Sequence, residues 1–177
     1  MNKKNLLRFA LVTALILLIP LIAMQFTDEV VWTAFDFVFA GTLLFGTGLA
    51  YEFLSSRSGT LTYRFASGLA VITGLLLIWV NAAVGLIGSE DNPLNLLYFG
   101  VILIGIIGAV GARLKPLGMS HTLFATAVAQ ILVPIIALIV RKPDFSPGII
   151  HVLILNAIFA ALWLGSGLLF RRAANTQ

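Results

Sequence analysis

The chain has no cysteine among its 177 residues. This excludes disulfides, thiolate metal sites, thiol catalysis and covalent c-type haem attachment. Charge is scarce: Asp, Glu, Lys and Arg make up 10% of the sequence, against roughly 25% in an ordinary soluble domain. There are two histidines, His121 and His151, at the inner end of one apolar segment and the outer end of another. Placed near opposite membrane faces, they are too far apart to share one metal or haem iron, so no metal site and no cofactor are expected. HExxH, Walker, GxSxG and GxGxxG patterns are missing too. The GTGLAYE stretch is too short and wrongly placed for a phosphate loop. Common soluble-enzyme chemistries therefore lack their signatures, and no enzyme is expected. Nor are there the alternating ten-residue segments of a membrane β-barrel.

Apolar side chains are abundant. Hydrophobic residues make up 60% of the chain, with a mean hydropathy of +1.06, so lipid has to be its solvent. Six apolar segments follow one another: Leu6–Met24, Val30–Leu54, Tyr63–Ile87, Leu94–Leu114, His121–Val140 and Gly148–Phe170. Each approaches or exceeds the ~20 residues that cross a bilayer. Backbone groups in hydrocarbon must bond within their own segment, which makes these segments helices. The expectation is an all-α, polytopic transmembrane bundle of six helices, one domain over 1–177. The first segment follows Lys3, Lys4 and Arg8 as a signal peptide would. It lacks a small-x-small cleavage site and reads as an uncleaved first span.

The connections carry helix-start chemistry. In SEDNPLN, Asn92 is placed to cap the fourth helix, with Pro93 at its first position. In FSPGII, Ser146 and Pro147 do the same for the sixth. KPLGMSH is a tight break between helices four and five.

Basic residues set the orientation. Lys3, Lys4, Arg8, Arg57, Arg64, Arg113, Lys115, Arg171 and Arg172 fall at one set of segment ends, and only Arg141 and Lys142 at the other. The bias alternates as six spans require and places both termini in the cytoplasm. The net charge of +4 is this topology signal rather than a nucleic-acid surface. Trp32, Tyr63, Tyr98 and Phe145 lie near segment ends, where an interfacial aromatic belt would put them.

A faint internal repeat suggests three hairpins. Phe9-Ala10, Phe65-Ala66 and Phe124-Ala125 open the odd-numbered helices. Pro20 and Pro134 recur in the first and fifth. Gly46/Gly48, Gly108/Gly111 and Gly165/Gly167 fall near the inner ends of the even-numbered ones.

Polar groups in lipid are costly, and each is a functional candidate. Asp36, Asn81 and Asn156 each lie roughly 9–12 Å below the outer surface, at 1.5 Å rise per residue. One comes from each hairpin, so a shared polar cluster or an ion or proton site is the candidate, with Gln130 nearer the middle of helix five. Asp36, Ala40, Leu43, Thr47 and Ala50 share one helical stripe. So do Ser67, Ala70, Gly74, Leu77 and Asn81. The alternative is structural: amides knitting the bundle. Glu52 does not share the Asp36 face and reads as an interfacial salt bridge with Arg57, Arg64 or Arg113. On helix four, Gly105/Ala109 and Gly108/Ala112 are small-xxx-small pairs. Such a face suits close contact within the bundle, or with a second copy or another membrane protein.

FDFVFAGTLLFGTGLAYE, WVNAAVGLIGSEDNP and AALWLGSGLLFRR together resemble a group of small bacterial six-helix inner-membrane proteins. The resemblance implies a bacterial inner-membrane location and brings no activity, cofactor or site with it. Two functions are carried forward. One is a non-enzymatic structural or accessory membrane protein, or one that binds a lipid-like ligand. The other is a small proton- or cation-coupled transporter or channel using Asp36.

Overall fold

The computed structural model describes residues 3–141 and 148–176. Among them are six long helices and no strand: α1 (Lys3–Ala23), α2 (Ala34–Ser55), α3 (Leu61–Ala83), α4 (Leu97–Gly111), α5 (Pro116–Arg141) and α6 (Ile149–Ala174). A 3-10 turn, Pro93–Leu96, leads into α4. Counting that turn with α4, all six are long and apolar enough to cross a bilayer. The chain is all-α and, by length and composition, a multi-pass membrane protein.

Local chemistry explains where the helices begin and end. α2 starts at Ala34 rather than Val30 because Thr33 caps it. α3 stops at Ala83 rather than Ile87, and Gly85 then turns the chain at φ +69°. Asn92 Oδ1 accepts from Leu94 N at 3.1 Å, with Pro93 opening the 3-10 turn. α5 begins earlier than expected, with Pro116 at its first position, where a missing N–H costs nothing. The cap expected from Ser146 and Pro147 lies outside the described residues.

The chain forms two compact units, residues 1–56 and 57–177. In the first, α1 and α2 make an antiparallel hairpin. Asn5 Nδ2 donates to Glu52 Oε1 at 2.6 Å. A Cβ on Gly48 would lie 2.8 Å from the Phe9 ring, and one on Gly41 would lie 3.3 Å from Leu17. Each step up α1 meets a step down α2, and missing side chains let the two backbones approach.

The second unit is built around α5, which packs on both α4 and α6, while α3 packs mainly on α6. α5 presents Met119, Leu123, Ala127, Gln130, Val133 and Ala137 to the interior, and α6 presents Val152, Asn156, Phe159, Trp163, Ser166 and Phe170. These spacings of three and four residues are the seam of a helical bundle. Gly105 and Gly108 put α4 against Thr126 and Thr122 of α5, so this small-residue face is used within the chain.

The hairpin repeat has a partial counterpart. Phe9 lies on Gly48 in the first hairpin and Phe124 on Gly167 in the third. In the middle pair, α3 and α4 touch only slightly, Phe65 is exposed and Gly111 has nothing near it.

Tyr63 and Tyr98, expected in an interfacial belt, are instead buried. Tyr63 Oη donates to the Leu114 carbonyl at 2.7 Å, and its ring meets Phe170 edge-on at 4.9 Å. The pinned carbonyl belongs to a turn in which Arg113 and Leu114 both adopt positive φ, 51° and 58°. This is a strained conformation for residues with a Cβ.

These contacts separate two neighbouring glycine substitutions. A Cβ at Gly108 would sit 2.5 Å from Thr122 Cγ2, whereas Gly100 has open space. Gly108→Ala is expected to destabilise the folded protein by about 1–3 kcal/mol, by overpacking. Gly100→Ala is expected to stabilise it by roughly 0.5–1 kcal/mol, by removing a flexible residue from a helix. Unfolding by denaturing detergent, followed by circular dichroism, compares the two.

Candidate functional site

The polar interior of the second unit centres on Asn156, which is fully buried on α6. Its Oδ1 accepts from Gln130 Nε2 of α5 at 2.9 Å and from Tyr98 Oη of α4 at 3.1 Å. Its Nδ2 donates to the Val152 carbonyl one turn earlier, at 2.8 Å. That last bond fixes which way the amide points, because a carbonyl accepts only from the NH₂ side. Gln130 Oε1 in turn accepts a long, 3.4 Å bond from Trp163 Nε1. Four side chains from three helices thus form one connected network, and none of its members is exposed. Pro134 lies one turn beyond Gln130 inside α5. It has no N–H, so the Gln130 main-chain carbonyl loses its usual helical donor at the same level.

A second polar junction closes the C-terminal end of α3. Asn81 Nδ2 donates to the Asn95 main-chain carbonyl at 3.1 Å. The Asn95 side chain organises the loop before it: Oδ1 accepts from Leu86 N and Ile87 N at 3.1 and 2.9 Å, and Nδ2 donates to the Ser89 carbonyl at 2.6 Å. Asn95 therefore does for this loop what a short strand pairing would do elsewhere. Asn81 Oδ1 is buried without a hydrogen-bond partner, as are the Ser67 and Ser120 hydroxyls. Asn81 borders a narrow crevice lined by Leu77, Ile78, Tyr98, Phe99 and Ile102, which encloses no space for a water molecule. Other hydroxyls inside the helices are satisfied locally: Thr47, Thr73 and Thr126 each donate to the carbonyl four residues earlier.

Asn156 and Gln130 are therefore brought into direct contact. Asn81 joins them only at one remove, through the Tyr98 that lines its crevice. Asp36 belongs to the first unit, where it is the third residue of α2 rather than the sixth or so. Its Oδ2 accepts from Thr33 N and Thr33 Oγ1, both at 2.7 Å, while Thr33 Oγ1 accepts from Asp36 N at 3.4 Å. This is a reciprocal capping box, and it supplies the carboxylate with donors at a helix start. Glu52 also belongs to the first unit and has Asn5 as a hydrogen-bond donor. Arg57, Arg64 and Arg113 belong to the second unit, and all three are exposed.

Trp163 and Asn95 are members that the sequence did not single out, and Tyr98 was read as an interfacial aromatic. An aromatic at a segment end, like Tyr98, suits an interface and an interior equally, and Asn95 follows a cap so closely that it reads as part of the same turn. His121 and His151 are both exposed, at the starts of α5 and α6.

This arrangement defines the class: a multi-helix membrane protein with an amide-based polar interior. No protein-family model, curated protein or solved structure matches the chain.

Asn156 holds two donors, so its loss should cost more than the loss of either. Asn156→Leu leaves Gln130 Nε2 and Tyr98 Oη buried without their acceptor and is expected to cost roughly 2–4 kcal/mol. Tyr98→Phe removes one bond and is expected to cost about 1 kcal/mol. Denaturation by graded detergent, followed by circular dichroism, gives both values. A larger effect for Tyr98→Phe would show that Asn156 is not the hub.

Proposed function

We propose that the chain is a non-enzymatic integral protein of the bacterial inner membrane. Both termini are cytoplasmic, and its role is structural or accessory: a stable helical scaffold presented to lipid and to membrane partners. One observation carries this reading. Most buried polar side chains of the second unit bond to one another, around Asn156, or to main-chain carbonyls; Asn81 Oδ1 and the Ser67 and Ser120 hydroxyls are the exceptions among the described residues, and the crevice beside Asn81 has no room for water. A transport pathway needs wet polar groups that exchange partners, whereas a scaffold needs satisfied ones that do not. The coupled-transport alternative rests on Asp36, and there the carboxylate is engaged in capping α2.

Reconstitution into liposomes distinguishes the two. The scaffold reading expects no proton or cation flux from the wild type, and a small loss of thermal stability in Asp36→Ala. Flux in the wild type that vanishes in a folded Asp36→Ala protein would replace it with the transport reading.

The orientation rests on the nine-to-two distribution of Lys and Arg between segment ends. The absence of cysteine makes it directly measurable. Gly59 and Glu90 are both exposed, in the α2–α3 and α3–α4 connections. In intact spheroplasts, an impermeant maleimide is expected to label Glu90→Cys. Gly59→Cys should react only after permeabilisation. The reverse pattern would invert the topology.

A further inference from the structure

Tyr63 joins three chain segments at one end of the second unit: its own helix, α3, and two others. Its hydroxyl bonds Leu114, in the α4–α5 turn, and its ring meets Phe170, near the end of α6. Residues beside these three contacts are basic: Arg64 next to Tyr63, Arg113 and Lys115 either side of Leu114, and Arg171 and Arg172 after Phe170. All five are exposed, while Tyr63 and Phe170 beneath them are fully buried. The tertiary contacts therefore collect five cations, scattered over more than a hundred positions of sequence, into one collar on a fixed base. Among the described residues the second unit's own carboxylates, Glu90 and Asp91, lie in the α3–α4 connection at the opposite end. Like charges gathered at one end repel one another, and a counter-charge from outside relieves that repulsion.

The depth of the collar selects the counter-charge. Arg64 lies in the first turn of α3, Arg113 and Lys115 fall between α4 and α5, and Arg171 and Arg172 lie in the last turn of α6. All are within a turn of the ends of helices long enough to cross a bilayer. That is the level of lipid phosphates, and Lys and Arg there attract anionic headgroups. Phe65, Leu117 and Leu168, each close in sequence to one of the cations, are exposed apolar side chains. A ligand suited to both has an anionic phosphate with acyl chains attached.

We propose that this collar is a binding site for anionic phospholipid, holding the headgroup phosphate among Arg64, Arg113, Lys115, Arg171 and Arg172. The proposal rests on the membrane-spanning reading, and the two fail separately. Maleimide labelling tests the span, and lipid titration tests the collar.

The experiment titrates the full chain in maltoside detergent with phosphatidylglycerol, and separately with phosphatidylcholine of the same acyl chains. Thermal stabilisation and bound lipid in native mass spectra are the readouts. Phosphatidylglycerol is expected to stabilise and stay bound, and phosphatidylcholine not. At about fivefold in affinity per interfacial cation, the triple variant Arg64→Gln, Arg113→Gln, Lys115→Gln should weaken phosphatidylglycerol binding on the order of a hundredfold. These residues are exposed and the change removes mutual repulsion, so the variant's melting temperature without added lipid should not fall below that of the wild type. A second triple variant, Lys3→Gln, Lys4→Gln, Arg8→Gln, makes the same change in net charge within the first unit and should retain binding. Equal loss in both variants would reduce the effect to net charge and overturn the proposal. So would glycerol 3-phosphate binding as tightly as the lipid, which would make the site one for a soluble anion. A polyglutamate peptide that binds through the collar when phosphatidylglycerol does not would assign the surface to an acidic protein instead.

Discussion

Hydrocarbon offers no water to a stranded amide, and the second unit is arranged around that constraint. An amide in an aqueous protein can fall back on solvent when its partner moves, but one at bilayer depth cannot. Asn156 meets the constraint with one acceptor shared by Gln130 and Tyr98 and one donor directed to its own helix. The same economy recurs in the threonines that return their hydroxyls to carbonyls four residues back. It recurs again at Ser166, which crosses from α6 to the Ala66 carbonyl of α3 at 2.7 Å. Polar groups here fix which helix lies beside which. Apolar packing alone would specify that poorly, since lipid tails are as greasy as leucine.

The six helices were legible because their signal is coarse. Length, apolar content and interruption by Gly, Pro and charge are enough to delimit them, and only the ends shifted, by up to five residues. The polar partners were less legible, for a specific reason. Depth along a helix can be counted from the sequence, but which neighbour stands opposite cannot. Asn156 and Gln130 were singled out as costly residues, and their contact follows from α5 packing on α6. Asp36 was singled out by the same argument, but its depth was counted from Val30. The capping Thr33 moved the helix start past four of those residues, and the carboxylate found its donors there. Glu52 was matched to arginines by charge, and Asn5 adds an uncharged donor to it across the hairpin. Tyr63 and Tyr98 followed the same logic in reverse: each hydroxyl found a protein acceptor, so the ring could turn inward.

Glycine placement separates the two kinds of helix contact. Where a phenylalanine lies on a glycine, as at Phe9/Gly48 and Phe124/Gly167, a large flat side chain takes the room left by an absent one. Where Gly108 faces Thr122, a small branched side chain takes that room instead. The first device recurs in the first and third hairpins, which also share an internal proline in their leading helix. The middle pair has neither, and its helices find their main partners elsewhere in the unit.

Asn156 also has a bearing on how the chain is made. It lies on α6, the last of the six helices to leave the ribosome, and so does Ser166. Until that helix arrives, Gln130 and Tyr98 have no common acceptor, and α3 lacks its principal neighbour. The second unit can therefore acquire its final order only after synthesis has passed residue 166. Before that point α4 and α5 can already pack through Gly105 and Gly108 against Thr126 and Thr122, while α3 has only slight contact with α4. Quality control that senses exposed amides in lipid would see an incomplete nascent chain as distinct from a finished one.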